Sequence, residues 1–411
     1  MAVIKPFRAI RPAKDKVAFV ASRSYEEYDK KERNYHLKYN PFSFLHIINP
    51  GYKFQKTIFG EERFTLIRNR YLEFLEEQIF VKDKAESFYL YQVQKGDFTT
   101  LGIFCATSVL DYRNDVIKKH EDTIHKRELL FANYLKSVGF NAEPVLITYP
   151  QNDTIQNLIA KKIEKTPEYD FTTPDKKRHR LWCVTDRATI VNLQKAFAKI
   201  DIIYIADGHH RSASSNLLSK DLEAENERHS GTEPYNFFLS YLIPESEIRI
   251  YEFNRMVKDL NGLTKEEFLI KLDAHYRIEK RDDGLYKPTR KHHFSMYLEG
   301  EFYSLYLRKQ VYGFTDALSE LDTHILYKTI LEPILGIRDL RNDKRISYGY
   351  GKHNLIKMKD SIDNGDFSVG FSLVPITMEE IKAIADANLV MPPKSTYIEP
   401  KLRSGLTIYE I

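Results

Sequence analysis

Ile200-Asp201-Ile202-Ile203-Tyr204-Ile205, followed by Ala206-Asp207-Gly208-His209-His210-Arg211-Ser212-Ala213-Ser214-Ser215, is the stretch that decides how this chain is read. The first run is β-branched and aromatic, with turn chemistry directly after it, and it predicts a short buried strand. From Ser212 through Leu217, Leu218 and Leu222 the apolar residues recur at helical spacing. Strand, one glycine, then a helix start is the arrangement in which backbone N–H groups point at an anion. Gly208 lets the backbone approach a ligand closely. His209, His210 and Arg211 add side-chain donors, and Asp207 adds a carboxylate able to hold a metal or take a proton. An anion site that carries its own acid suits phosphoryl transfer. A plainer reading makes these residues a helix cap and a salt-bridge node. Polar groups this dense at the mouth of a buried strand are costly unless used or paired, which favours a site.

The chain has 411 residues, 42% hydrophobic and 29% charged, as expected for a soluble globular protein with two domains or one elaborated core. Lys and Arg total 62 against 58 Asp and Glu, so there is no basic excess to attract nucleic acid. The short basic runs at 30–33 and 176–180 read as solvated surface. Cys105 and Cys183 lie in apolar surroundings without metal-ligand spacing, which predicts free thiols in a reducing compartment. The start lacks an apolar signal region, and no run is long enough to span a membrane, so the cytoplasm is the default location.

Working outward from the central stretch, strands are predicted at 17–21 and at 42–48, the latter bracketed by Asn40-Pro41 and Asn49-Pro50. Helix periodicity covers 62–80, and two strands at 88–93 and 101–106 form a hairpin across Lys95-Gly96-Asp97. A second polar cluster, Val116-Ile117-Lys118-Lys119-His120-Glu121-Asp122-Thr123-Ile124-His125-Lys126-Arg127-Glu128, opens a predicted helix that runs to about Val138 and stops at Gly139. His120 and His125 stand about 140° apart around such a helix, which excludes a zinc-protease pair. Glu121, His125 and Glu128 share a face, and the cluster is a reasonable second wall of a site. Strands follow at 144–149 and 182–186, with Thr185-Asp186 capping a helix. Further strands fall at 237–244 and 251–255, and 294–307 is the clearest hairpin of the chain. An amphipathic helix is predicted over 316–335. The third cluster, Met391-Pro392-Pro393-Lys394-Ser395-Thr396 through Lys401, Leu402 and Arg403, is stiffened by prolines and is expected to be docked, adding cations for an anionic substrate.

These three clusters, with Ser43-Phe44-Leu45-His46 before Asn49-Pro50 and Asn254-Arg255 before Val257-Lys258-Asp259-Leu260, occur in the order of a bacterial and archaeal family long catalogued as a domain of unknown function. The chain closely resembles that family, members of which have been assigned as pyrophosphate-dependent L-serine kinases. Its Asp-Gly-His-His-Arg stretch also resembles the phosphate-binding turn of ParB/sulfiredoxin-type folds. The resemblance implies an α+β (mixed α/β) fold with a ParB/sulfiredoxin-like core and an elaborating mixed-sheet half. It is divided here as a catalytic core at 1–225, an elaborating half at 226–370 and a C-terminal segment at 371–411 that docks near the site.

The implied activity moves a phosphoryl group from pyrophosphate to the hydroxyl of free L-serine, with Mg²⁺. Gly208, His209, His210, Arg211 and Ser212 would hold the donor phosphates, joined by Lys394, Ser395 and Thr396. Lys119 and His120 would neutralise the transferring group. Of Glu121 and Asp207, one would accept the serine proton and the other would help hold the metal, with Asp207 the metal assignment. One departure stands out: where many members carry Pro-Pro-Tyr-Asp, this chain has Ser22-Arg23-Ser24-Tyr25-Glu26, and Arg23 brings an extra cation. No phosphate loop of the Gly-x4-Gly-Lys-Ser/Thr type is present, which fits a donor without a nucleoside. The alternatives are a hydrolase of phosphoserine or another phosphate ester, and a ParB-like nucleotide- or DNA-binding module. Neither a helix-turn-helix pattern nor a basic stripe supports the latter. Self-association into a homo-oligomer is left open.

Overall fold

The computed structural model describes residues 1–282, 284–351 and 353–411. The fold is mixed α/β, and the chain separates into two units: residues 1–119, 123–248 and 400–411 form the first, and residues 120–122 and 249–399 the second. This differs from the first break expected at 225/226. Phe237–Pro244 is a central strand of the first unit's sheet, so that unit runs on to Ile248. The tail is also shared, with 391–399 in the second unit and 400–411 in the first.

Among the described residues the first unit is built on a nine-stranded sheet, in the order Ile117–Lys118, Ile203–Asp207, Val145–Tyr149, Phe237–Pro244, Phe98–Ser108, Phe88–Lys95, Arg178–Val184 and Tyr169–Thr172; Ile4–Lys5 adds to Phe98–Ser108. Ile203–Asp207 runs parallel to Ile117–Lys118, and Phe237–Pro244 runs parallel to Val145–Tyr149, while the other pairs are antiparallel. Strand alternation divides the side chains between two faces. Phe88, Leu90, Ile103, Ile147, Ile203 and Ile205 pack into one core with Ile155, Ile159, Leu193 and Phe197 from helices Asp153–Ile163 and Arg187–Phe197. Asp186 caps the second of these helices, accepting from the Thr189 N–H at 3.0 Å, as the sequence predicts. A separate core joins Val20, Phe44, Ile47, Phe64, Ile67 and Tyr71.

That second core overturns two expected strands. Residues 17–21 fold as the helical turn Val17–Val20, and 42–48 contain the helical turn Leu45–Ile48, followed by the 3₁₀ turn Pro50–Phe54. Their apolar residues are too few to distinguish strand from helical turn by period, and packing decides. The helix expected from 116 begins only at His125, because Ile117–Lys118 is taken into the sheet; it ends at Val138 with Gly139 left-handed, as read.

Among the described residues the second unit holds a six-stranded antiparallel sheet: Tyr276–Arg281, Glu301–Leu307, His293–Leu298, Val369–Ser372, Phe253–Val257 and Ile346–Tyr350. One face packs Val257, Met296, Leu305 and Phe371 against Phe268 and Leu272 of helix Lys265–Asp273. The expected helix at 316–335 is broken. Ser319 and Asp316 close a separate turn through mutual hydrogen bonds, and Asp322–Leu326 then widens into the π-helical turn Tyr327–Leu331. Among the described residues no helix is long and apolar enough to cross a membrane.

Candidate functional site

Ile203, Tyr204 and Ile205 are buried in the sheet, and the strand ends at Asp207. Gly208 follows at φ 102°, in the left-handed region open to glycine, and opens helix His209–Glu225. A Cβ at this position would lie 3.1 Å from the Arg211 guanidinium, which folds back over the turn. There Arg211 donates to Asp207 Oδ2 at 3.0 Å and also to the Pro144 carbonyl. Lys401, from the tail segment of the first unit, meets Asp207 Oδ1 at 3.4 Å. Burial pushes the Asp207 carboxyl up, but Lys401 and Arg211 outweigh it and hold the pKa below the usual carboxylate value.

His209 is buried, and burial pushes its imidazole down to about 3, with Arg211 and Lys119 adding to the effect. It therefore serves as a neutral ring and not as a cation. Lys119 stands 4.6 Å over the Tyr112 ring. Ser212 is buried and donates to the His209 carbonyl at 3.0 Å; Ser215 donates likewise to Arg211. These hydroxyls bond back along their own helix, the usual outlet for a serine inside a helix.

The departure at 22–26 lies beside the same tail. Ser22 and Ser404 exchange backbone hydrogen bonds of 3.2 and 2.8 Å, and Ser404 Oγ donates to Glu143 at 2.9 Å. Arg23 pairs with Glu32 and lies 4.3 Å over the Tyr28 ring. Just past the corner stands Glu27. Burial raises its pKa, against the pull of Lys401, Lys177, Arg23 and Arg403. Arg403 donates to Asp175 at 2.6 Å and to Thr173 Oγ1 at 3.1 Å, and the same hydroxyl is 3.1 Å from His179 Nε2. The first unit thus gathers Asp207, Gly208, His209 and Arg211 with Lys119, Lys401, Arg403, Lys177 and Glu27.

Sequence reasoning missed Glu27 and Lys177. Ser24-Tyr25-Glu26-Glu27 has the Ser-x-x-Glu spacing of a capping box, which points to a structural role. Ser24 does precede the short 3₁₀ turn Tyr25–Glu27, but no side-chain cap bond forms there.

His210 stands in the first turn of helix His209–Glu225, in the first unit, and the remaining sequence-predicted residues belong to the second unit. His120 is buried, and its carbonyl accepts from the Met391 N–H at 3.0 Å; the Asp122 carbonyl accepts from Arg341 at 3.2 Å. Glu121 lies between them. Lys394 has φ 57°, with its ammonium 5.7 Å over the Phe253 ring. Ser395 is buried, donates to the Pro392 carbonyl at 2.6 Å and lies 3.2 Å from Thr323 Oγ1, while Thr396 is half-exposed.

No curated protein matches the chain. Solved structures resemble it at 14% identity. A free serine kinase in complex with AMP covers 74% of this chain and 91% of its own, with a TM-score of 0.36. SbnI with a C-terminal truncation, from Staphylococcus aureus, covers 74% and 87% at 0.40, and a conserved hypothetical protein from Pyrococcus furiosus covers 75% and 94% at 0.33. A family model matches residues 4–324, most of the length, and the chain belongs to the family described as Protein of unknown function (DUF1015).

Proposed function

We propose that this protein is a phosphotransferase that moves a phosphoryl group from pyrophosphate to the hydroxyl of free L-serine, giving O-phospho-L-serine and orthophosphate. The observation that carries the reading is the first unit's ring of cations around two carboxylates of opposite character. Asp207 is tied to Lys401 and Arg211 and stays ionised. Glu27 is surrounded by Lys401, Lys177, Arg23 and Arg403, yet its pKa is raised. Phosphoryl transfer asks the protein chiefly to position two reactants and neutralise charge. The turn at Gly208, with Arg211 and Lys401 held in place by Asp207, would bind the donor phosphates. Glu27, with its raised pKa, suits the acceptor of the serine proton better than Asp207, whose pKa is depressed. The bond from phosphorus to the bridging oxygen of pyrophosphate breaks, the bond to the serine oxygen forms, the hydroxyl proton goes to Glu27, and orthophosphate leaves.

Asp207 fits poorly as a metal ligand, because a cation already meets each of its oxygens. Mg²⁺ enters this reading with pyrophosphate, as part of the substrate, since it is commonly held largely by phosphate oxygens and water. The roles given to Lys119, His120, Glu121, Lys394, Ser395 and Thr396 are part of the proposal and rest on the sequence resemblance.

Phosphorus NMR with Mg²⁺ and L-serine, supplying pyrophosphate, ATP or ADP in parallel, tests the reading. Phosphoserine and orthophosphate from pyrophosphate alone support it. Phosphoserine from a nucleotide alone would replace the donor, and hydrolysis of added phosphoserine without its formation would favour a phosphatase. Glu121→Gln run beside Glu27→Gln decides between the two candidate bases.

A further inference from the structure

We infer that the second unit carries an oxyanion-binding site of its own, centred on the guanidinium of Arg255. Arg255 lies in Phe253–Val257, an inner strand of that unit's sheet, and is 2% exposed. Its terminal nitrogens donate to the Phe253 carbonyl at 2.5 Å and the Lys394 carbonyl at 3.2 Å. A guanidinium has five N–H donors, so these bonds leave three to spare. Among the described residues no carboxylate pairs with it, and the Tyr348 ring lies 5.9 Å from its guanidinium. Burial lowers its pKa to about 10, with Tyr348 alone opposing.

Buried charges are ordinarily paired, because an isolated one forfeits its hydration without return. Arg403, buried in the first unit, follows that rule, with Asp175 at 2.6 Å. Arg255 does not, and the turn that accepts its hydrogen bond supplies further groups of the right kind. Lys394 brings an ammonium, and Thr323 of helix Asp322–Leu326 brings a buried hydroxyl 3.2 Å from Ser395, whose own proton goes to the Pro392 carbonyl. A planar fork with donors to spare, held to the turn that carries Lys394 and with no carboxylate paired to it among the described residues, suits a phosphate or a carboxylate. The two sources share the oxyanion chemistry. The site uses Lys394, which the phosphotransferase reading also uses, but its occupancy can be read without turnover.

The test is the arginine Nε–H NMR spectrum of the full chain, with the Arg255 signal identified by its loss in Arg255→Lys. Inorganic phosphate, pyrophosphate and L-serine are titrated separately to millimolar concentration. The Arg255 signal is expected to move and saturate with at least one of them. Lys394→Ala should weaken that saturation about tenfold, the loss of one charged hydrogen bond. A response to phosphate or pyrophosphate assigns a phosphate site, and a response to L-serine alone assigns a carboxylate site. A signal that none of the three moves overturns the inference. Should Arg255→Lys fail to fold, equilibrium dialysis of the same probes against wild type and Lys394→Ala decides, and equal binding overturns it. Saturation without phosphoserine formation would leave this site standing while the phosphotransferase reading falls.

Discussion

In the first unit Arg211 and Lys401 share the Asp207 carboxylate and Arg403 sits on Asp175, whereas in the second unit Arg255 is buried and, among the described residues, paired with no carboxylate. The difference separates two uses of a cation. A paired cation is held in position before any ligand arrives, so a transition state finds it ready. An unpaired buried cation bears a standing desolvation cost that a ligand can relieve. Glu27 sharpens the contrast from the acid side. It stands among cations, yet burial keeps its pKa raised, while Asp175 beside Arg403 is held down at about 2.

The comparison breaks most severely if the paired carboxylate is dispensable. Asp207→Asn frees Arg211 and Lys401, and phosphoserine formation is expected to fall on the order of 100- to 1000-fold, the scale of losing a preorganised donor. Steady-state assays in which the variant keeps wild-type turnover would remove Asp207 from the account. Glu27→Gln is expected to lower kcat about 100-fold with little change in KM for pyrophosphate. As a base Glu27 works deprotonated, so wild-type activity should fall as pH drops through a pKa above the ordinary glutamate value, and the variant should lose that acid limb. A kcat profile with its acid limb unchanged in Glu27→Gln would assign the proton to another group.

Stability effects are smaller and probe the scaffold beneath each site. Gly208→Ala puts a side chain where φ is 102° and where Arg211 packs, and should cost about 1–3 kcal/mol in chemical unfolding. In the second unit, burial raises the Asp322 pKa from 3.8 to about 7, against the His292 N–H bond that lowers it. Between those values the folded protein holds a proton that the unfolded chain releases. Stability should therefore decline as pH rises across that window and level off above it. Asp322→Asn should flatten the slope and raise Tm at alkaline pH but not below about pH 4, the ordinary carboxylate pKa. Thr264→Ala, which opens the Thr264–Glu267 capping box, should cost about 1 kcal/mol in the same measurement.

Much of the site's scaffold can be read from the sequence because its signals are local. Ile203–Asp207, Gly208 and His209–Glu225 follow from β-branching, one glycine and helical spacing, and the hairpin at His293–Leu298 and Glu301–Leu307 follows from Glu299-Gly300. What the sequence hides is long-range. Nothing local says that Lys401 reaches Asp207, far earlier in the chain, or that Ser22 pairs with Ser404. Ser212 looks like a ligand donor because a hydroxyl at a helix start usually is one, yet it bonds back to His209. Glu27 is masked by a capping pattern, and Arg255, though it stands in the Asn254-Arg255 motif, gives no local sign that it is buried in a strand. The tail changes unit at Pro400 within one proline-rich run of uniform composition, so no compositional shift marks the boundary.

The central claim, that the first unit's paired cations and raised carboxyl carry phosphoryl transfer, is tested most directly by one phosphorus NMR time course. Wild type and Glu27→Gln are followed side by side with Mg²⁺, pyrophosphate and L-serine. The account expects phosphoserine and orthophosphate to grow together in the wild type, while Glu27→Gln still binds pyrophosphate but forms phosphoserine about 100-fold more slowly. No phosphoserine from the wild type, or its formation at the same rate in both proteins, would contradict it.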